Sequence, residues 1–289
     1  MNIMKVALIQ MPVVADKSAN ISKAIDHIRA MKLQGAEMAV LPEMFCSPYD
    51  TKCFVAYGEE QGGEVQQAMS ALAKELGIYI VAGSIPEFAF GKVYNTSFVY
   101  APDGSQVAKH RKMHLFDINI EGGQYFRESD VLSAGDEATV FDTPWGKMGL
   151  GICFDIRFSE FSMLLALQGA QAIIFPGAFN MTTGPAHWEM HFRARAVDNQ
   201  VFTIGVAPAR VEGAGYVSYG HSLVCDPWGT VLHDSGPYEG SHVVEIDLAK
   251  NMRVRKQLPI MSARRTDLYT TALTVCLKRA VLHHVSSPS

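Results

Sequence analysis

Glu37-Met-Ala-Val-Leu-Pro-Glu-Met-Phe45 has a counterpart 134 positions later, Gln171-Ala-Ile-Ile-Phe-Pro-Gly-Ala-Phe179. Both segments are apolar runs that end in Pro-x-x-Phe, which is typical of a buried strand leading into a loop. Each is preceded by a helical segment and followed by a helix, a strand and a hairpin, and the second hairpin turns at Asp226-Pro-Trp-Gly229. The repeat predicts two similar layers related by a pseudo-twofold axis, with two packed sheets and helices outside them.

Strands and helices alternate around the first copy, which indicates parallel strand pairing. Two further apolar stretches flank Pro102-Asp103-Gly104, and this turn chemistry predicts a hairpin that makes the sheet mixed. The predicted strands are Lys5–Gln10, Met38–Leu41, Tyr79–Gly83, Val93–Tyr100 and Val107–Arg111, and the predicted helices are Asn20–Gln34 and Gly63–Leu76.

The composition is that of a soluble globular protein. The 289 residues are 48% hydrophobic and 19% charged with a formal net charge of −4, which argues against a disordered chain and against a nucleic-acid partner. No apolar run of about 18 residues exists to span a membrane, and the N-terminal stretch breaks too early for a secretory signal. We therefore expect a cytoplasmic protein, with one domain over residues 1–269 and an extension of unassigned role over residues 270–289.

The five cysteines, at positions 46, 53, 153, 225 and 276, are odd in number and widely spaced, which is not a disulfide framework. Most are expected to be small core residues, which leaves room for one reactive thiol. Gly149-Leu-Gly-Ile-Cys-Phe-Asp-Ile-Arg157 places Cys153 where a buried strand gives way to polar residues, the usual position of catalytic groups in α/β sheets. The alternative is an inert cysteine that ends a core strand.

Two charged residues are candidates to accompany Cys153. Glu43 follows an apolar strand and a proline, where limited solvation would raise the pKa of its carboxyl, although a solvated loop glutamate fits the same pattern. Lys112 ends the first predicted hairpin, where its cation could hold an oxyanion or could be an ordinary surface charge.

These three segments occur together in the order Glu, Lys, Cys, and from Lys5 to about Tyr269 the chain closely resembles the nitrilase superfamily of carbon–nitrogen hydrolases. The resemblance implies an α/β fold, a four-layer αββα sandwich of two mixed sheets, over the domain 1–269. It implies Glu43 as general base, Lys112 as stabiliser of the tetrahedral intermediate and Cys153 as nucleophile, with Glu128 supporting Lys112 and the substrate. It implies no metal and no cofactor, and a homodimer or larger homo-oligomer.

Within the superfamily the chain most resembles the omega-amidase branch, which implies a small-molecule amide substrate of the 2-oxoglutaramate or 2-oxosuccinamate type. An N-carbamoyl amine, an aliphatic amide or a nitrile could use the same three residues and remain alternatives. The stretches that carry the resemblance are Glu43–Tyr49, Pro176–Trp188, Arg193–Gln200 and Ala207–Arg210. Two departures are Cys46, where that branch more often has asparagine, and the loop Gly122-Gly-Gln-Tyr125; both are expected near the pocket.

Further side chains fall in segments expected to face a pocket. A substrate carboxylate needs hydrogen-bond donors, and aromatic side chains could enclose a short carbon chain. The candidate donors are Tyr49, Arg157, Thr182 and Thr183, and the candidate apolar walls are Phe116, Phe154 and Phe179. For each aromatic residue, ordinary core packing fits equally well.

Other functional classes find less support. His187-Trp-Glu-Met-His191 puts two histidines one helical turn apart, but Glu189 is misplaced for an H-E-x-x-H zinc site and no third ligand is evident. Neither Gly-x-Ser-x-Gly nor a glycine-rich nucleotide-binding motif occurs, which disfavours a serine hydrolase and a nucleotide-binding protein. A non-enzymatic binding module would be expected to have lost one of the three candidate residues.

Overall fold

The computed structural model describes residues 2–122 and 124–273. Cys276 and most of the predicted C-terminal extension, residues 274–289, lie outside the described residues. Among the residues that the structure describes, no helix is long and apolar enough to cross a membrane.

The elements follow the predicted alternation of strands and helices. The strands are β1 (Ile3–Gln10), β2 (Met38–Val40), β3 (Tyr79–Val81), β4 (Ile85–Ala89), β5 (Lys92–Tyr100), β6 (Gln106–Arg111), β7 (Asp117–Asn119), β8 (Tyr125–Arg127), β9 (Thr139–Thr143), β10 (Gly146–Leu150), β11 (Ala172–Pro176), β12 (Phe202–Val206), β13 (Leu223–Cys225), β14 (Val231–Asp234) and β15 (Gly240–Asp247). The α-helices are α1 (Lys17–Leu33), α2 (Thr51–Tyr57), α3 (Glu64–Leu76), α4 (Ser159–Leu167), α5 (Gly184–Asn199) and α6 (Ala249–Gln257).

The two large sheets share one topology. In the first, β1, β2 and β3 are parallel and β5 joins β3 antiparallel, and in the second β10, β11 and β12 are parallel and β13 joins β12 antiparallel. Met38 pairs with Val6 in the first sheet, and Ala172, which is 134 positions after Met38, pairs with Met148 in the second. The predicted repeat is therefore confirmed, and the hairpins β5–β6 and β13–β14 occupy equivalent places.

Three apolar cores separate four layers. The central core joins the inner faces of the two sheets, for example Val6 and Val40 against Leu150 and Ile174. A second core packs α1 and α3 on the outer face of the first sheet, and a third packs α4 and α5 on the outer face of the second. This is the predicted αββα sandwich. Each sheet packs one face against the other sheet and its opposite face against a pair of helices.

Every predicted element differs from the structure by one to three residues at one or both ends, and two of these differences have a local reason. The helix α1 begins at Lys17 because the carboxylate of Asp16 accepts a hydrogen bond from the Ala19 N–H and caps it. The strand β3 ends at Val81 because Gly83 turns the chain with a φ of +49°.

Candidate active site

Three strand ends bring the predicted residues together between the two halves of the repeat. Glu43 follows β2, Lys112 follows β6 and Cys153 follows β10. The side chains of Glu43 and Lys112 are fully buried and Cys153 is 4% exposed, so the three lie out of bulk water. Cys153 has a φ of +48° and Met44, beside Glu43, a φ of +51°. Non-glycine residues at positive φ carry strain that tertiary contacts must offset, and such residues cluster at functional sites.

Lys112 lies between two buried carboxylates. Its Nζ donates to Glu43 Oε1 and to Glu128 Oε1, each at 2.9 Å. Glu128, in a short 3-10 turn after β8, also accepts from the Tyr49 hydroxyl at 2.7 Å and from the Phe116 N–H at 2.7 Å. The buried ammonium is thus held in place by charge-assisted hydrogen bonds to two carboxylates.

Glu43 has donors on both carboxylate oxygens. Besides Lys112, the Asn95 amide donates to Oε1 at 2.8 Å, and the backbone N–H of Ala178 donates to Oε2 at 2.8 Å. Asn95 and Ala178 were missed by the sequence analysis. A buried asparagine inside the apolar strand β5 was an available signal for the first, whereas a backbone N–H from the loop after β11 has no sequence signature.

Burial and mutual charge set the protonation behaviour of these groups. Burial raises the pKa of the Glu43 carboxyl, and the Lys112 ammonium opposes that rise. Burial and the Glu43 charge raise the pKa of the Cys153 thiol well above its ordinary value, while Lys112 opposes this. For Lys112, burial favours the neutral amine, but the carboxylates of Glu128 and Glu43 outweigh it and raise the pKa. These directions favour a cationic Lys112 and a protonated Cys153 thiol.

Asp155 joins the turn that bears Cys153 to the segment that bears Lys112. Its Oδ2 accepts from His110 Nε2 at 3.0 Å and from the Ile152 N–H at 2.9 Å, and its Oδ1 accepts from His114 Nδ1 at 2.8 Å and from the His114 N–H at 3.0 Å. The two histidines flank Lys112 by two residues on either side. Burial raises the pKa of Asp155, but the hydrogen bonds from His110 and His114 outweigh it and hold the pKa below its usual value, so the residue is a buried carboxylate.

A pocket of about 580 Å³ lies beside this cluster, and Glu43 is in its wall whereas Lys112 and Cys153 are not. This volume suits a small molecule. Its wall includes Glu43, Tyr49, Gln124, Phe126, Ala178 and Tyr216. The rings of Tyr49 and Tyr216 are 4.6 Å apart, and the Tyr216 hydroxyl donates to the Ala178 carbonyl.

The sequence of residues 5–256 matches the family model described as carbon-nitrogen hydrolase, which covers most of the chain. The chain belongs to the carbon–nitrogen hydrolase family. It is therefore an enzyme that hydrolyses a carbon–nitrogen bond.

Individual relatives support the same family assignment. Omega-amidase NIT2 of Bos taurus is 50% identical over 92% of this chain and 96% of its own, and that of Homo sapiens is 48% identical over 93% and 98%. Nit3 of Saccharomyces cerevisiae, described as a member of branch 10 of the nitrilase superfamily, is 42% identical with a TM-score of 0.84 over 91% of this chain and 97% of its own. The predicted resemblance to the nitrilase superfamily and to its omega-amidases is confirmed.

The other predicted pocket residues of this carbon–nitrogen hydrolase lie in two groups. Tyr49 is in the wall of the pocket, whereas the other predicted residues are not: Phe116, Phe154, Arg157, Phe179, Thr182 and Thr183. The rings of Phe116 and Phe154 pack together at 5.3 Å, and Phe116 also contacts the pocket-lining ring of Phe126 at 5.9 Å. Arg157 lies over the rings of Phe154 and Phe179, with its Cζ at 5.5 and 4.7 Å from their centroids.

Thr182 and Thr183 lie in the loop before α5. Both backbone N–H groups donate to the Asn180 side chain, as does the Thr183 hydroxyl at 3.1 Å. Thr183 is buried, whereas Thr182 is exposed to solvent. The loop is thus organised around Asn180, which the sequence analysis did not single out.

The two departures from the omega-amidase pattern lie in different places. Gln124 and Tyr125 line the pocket, as expected for their loop. Cys46 does not: its side chain is fully buried in the core beneath α1 and α3, and burial raises the pKa of its thiol to about 12. Cys46 is therefore not itself a pocket-lining residue, although Met44 and Ser47 on either side of it are in the pocket wall.

The paired histidines of α5 contact an arginine. His187 and His191 both lie within hydrogen-bond distance of Arg157. In the part of the chain that the structure describes, no group of three or more His, Cys, Asp or Glu is placed to hold a metal ion.

Proposed function

We propose that this enzyme is an omega-amidase, which hydrolyses the terminal amide of a small dicarboxylate monoamide such as 2-oxoglutaramate or 2-oxosuccinamate to the acid and ammonia. The observation that carries the chemistry is the buried cluster in which Lys112 joins Glu43 and Glu128 beside the thiol of Cys153. The substrate class is supported by the omega-amidases that share about half of their residues with this chain.

In the proposed reaction, Cys153 is the nucleophile and Glu43 the general base. Glu43 takes the thiol proton as the sulfur attacks the amide carbon, and Lys112 stabilises the negative charge on the carbonyl oxygen together with the N–H of Phe154. Glu43 then returns the proton to the departing nitrogen, and ammonia leaves a thioester on Cys153. Glu43 next deprotonates a water molecule that attacks the thioester, which releases the acid and restores the thiol.

Arg157 is the candidate partner of the substrate carboxylate. Its guanidinium is partly buried, and it forms no salt bridge with an Asp or Glu among residues 2–122 and 124–273. Its Nε is buried without a hydrogen-bond partner in the same part of the chain. A cation in this state gains most from an incoming carboxylate, which could accept from Nε and a terminal nitrogen together. The hydroxyl hydrogens of Tyr49 and Thr183 are already donated to Glu128 and Asn180, so Arg157 is the proposed donor, with Phe116, Phe154 and Phe179 enclosing the carbon chain.

The test is ammonia release from 2-oxoglutaramate beside an N-carbamoyl amine, an aliphatic amide and a nitrile, with Cys153→Ala as control. Turnover of 2-oxoglutaramate that disappears in Cys153→Ala supports the proposal, and intact-mass detection of an acyl adduct on the wild-type chain supports the thioester. Turnover of another panel compound through Cys153 would reassign the substrate. Turnover that persists in Cys153→Ala would overturn the mechanism.

A further inference from the structure

The two histidines of the His-x-x-x-His segment in α5 share one nitrogen of Arg157. Arg157 Nη1 lies 3.1 Å from His187 Nδ1 and 3.2 Å from His191 Nε2. Their spacing of four residues places both rings on one face of α5, with centroids 6.0 Å apart, so that a single nitrogen fits between them.

Arg157 is the donor in both of these hydrogen bonds. A guanidinium has five N–H donors and no acceptor, so each contacting ring nitrogen must offer a lone pair. In these contacts His187 accepts at Nδ1 and His191 accepts at Nε2. The two acceptors use both hydrogens of Nη1 and leave the edge formed by Nε and Nη2 for another partner.

The surroundings keep His191 neutral. Burial, the cations of Arg157 and Arg195 and the neighbouring His187 all disfavour the imidazolium and lower the pKa of His191 to about 4. Arg195, on the same helix, is itself held by the carbonyls of Ile156 and Arg157, so it braces the backbone of the turn that carries the guanidinium.

We propose that His187 and His191 are positioning residues, which orient Arg157 so that its free edge receives the substrate carboxylate and thereby set the preference for anionic amides. This inference rests on the proposed function, in which Arg157 binds that carboxylate. Neutral acceptors suit this role because they immobilise the guanidinium without neutralising its charge, whereas an Asp or Glu would compete with the substrate.

The test compares steady-state kinetics on two amides, 2-oxoglutaramate and 4-oxopentanamide, which has a methyl group in place of the carboxylate. His191→Met removes the acceptor at similar size, and His191→Gln keeps an acceptor at the same reach. We expect His191→Met to raise KM for 2-oxoglutaramate about tenfold, the effect of losing one hydrogen bond to a charged group, with kcat nearly unchanged. KM for 4-oxopentanamide should not change, and His191→Gln should restore most of the affinity.

Met190→Ala, at an exposed position of the same helix, is the matched control and should leave both substrates unaffected. Should His191→Met fail to fold, His187→Leu removes the other acceptor and answers the same question. Equal losses on both amides, or a loss in kcat alone, would overturn the inference.

Arg157→Ala separates the two proposals. If this variant loses the preference for 2-oxoglutaramate while the histidine variants keep it, the positioning role fails and the proposed carboxylate site stands. If Arg157→Ala keeps the preference, the carboxylate site fails, and the positioning role fails with it.

Discussion

Glu43 is the residue whose protonation is expected to limit activity on the acid side. Because the proposed base must be a carboxylate and burial raises its pKa, activity should fall as the pH drops through a value above the 4.5 of an ordinary glutamate. We expect the acid limb of kcat/KM to lie above pH 4.5. We expect Glu43→Gln to lower kcat/KM at neutral pH at least about 10²-fold and to remove that limb. A wild-type limb below 4.5, or the same limb in Glu43→Gln, would contradict the role of Glu43.

Asp155 is expected to support both structure and activity, since it fastens the Cys153 turn to the segment of Lys112. Asp155→Asn should cost about 2–3 kcal/mol in the free energy of unfolding, because it removes the charge that strengthens the buried hydrogen bonds from His110, His114 and the Ile152 N–H. The control Asp142→Asn removes the exposed partner of Lys147 and should cost less than about 1 kcal/mol. Urea denaturation at neutral pH measures the free energy of unfolding of both variants. Equal costs for the two substitutions would contradict the proposed role of Asp155 in joining the two segments.

The hydrogen bonds of Asp155 with His110 and His114 also predict how the stability of the fold depends on pH. The pKa of Asp155 is depressed in the folded state, so its stabilisation is fully present above the ordinary value of 3.8 and is lost as the pH falls below it. Wild-type stability should therefore decline more steeply than that of Asp155→Asn below about pH 4.

At the scale of elements, the end of β3 supports the loop that carries Glu43. A Cβ on Gly83 would lie 2.0 Å from the Pro42 carbonyl oxygen, and Gly83 has a positive φ. Gly77, after α3, also has a positive φ but has open space where its Cβ would be. Gly77→Ala should cost about 1–2 kcal/mol from backbone strain alone, whereas Gly83→Ala should cost more and should also lower kcat. If both substitutions had equal effects on the unfolding midpoint and on kcat, the close approach of Gly83 to Pro42 would be unimportant.

The ends of β2 and β11 are equivalent in the repeat, but only the end of β2 is followed by a glutamate, Glu43. Gly177 occupies the position in the second copy that Glu43 occupies in the first. A Cβ at Gly177 would meet the Trp188 ring at 3.1 Å and Cys153 Cα at 3.4 Å. The first copy of the repeat contributes the Glu43 side chain to the cluster. The second copy contributes a backbone group, the N–H of Ala178, which donates to that side chain.

At the scale of the whole molecule, the domain boundary and the assembly remain predictions. The family match ends at residue 256 and α6 ends at Gln257. We expect a chain truncated after Tyr269 to keep its unfolding midpoint and its amidase activity, because the site residues and the three cores lie before that point. Loss of either property in the truncated chain would move the domain boundary.

The family resemblance predicts a homodimer or larger homo-oligomer. Sedimentation velocity at micromolar concentration should give at least twice the mass of one chain, with activity in the same peak. A fully active monomer would contradict the prediction.

The two repeated layers, the mixed sheets and the segments of Glu43, Lys112 and Cys153 could be predicted from the amino-acid sequence. Strand periodicity, turn residues and motif order are local properties, and local properties can be read along a chain. The family resemblance added Glu128.

How these segments meet became visible in the folded chain. The tertiary structure placed the Lys112 ammonium 2.9 Å from two carboxylates, turned Cys46 into the core, paired β15 with β1 and set His187 and His191 against Arg157. Such contacts join residues far apart in the chain, and they depend on how the two halves pack over the central core. No local pattern encodes that packing, because it is selected by burial and hydrogen bonding of the whole fold.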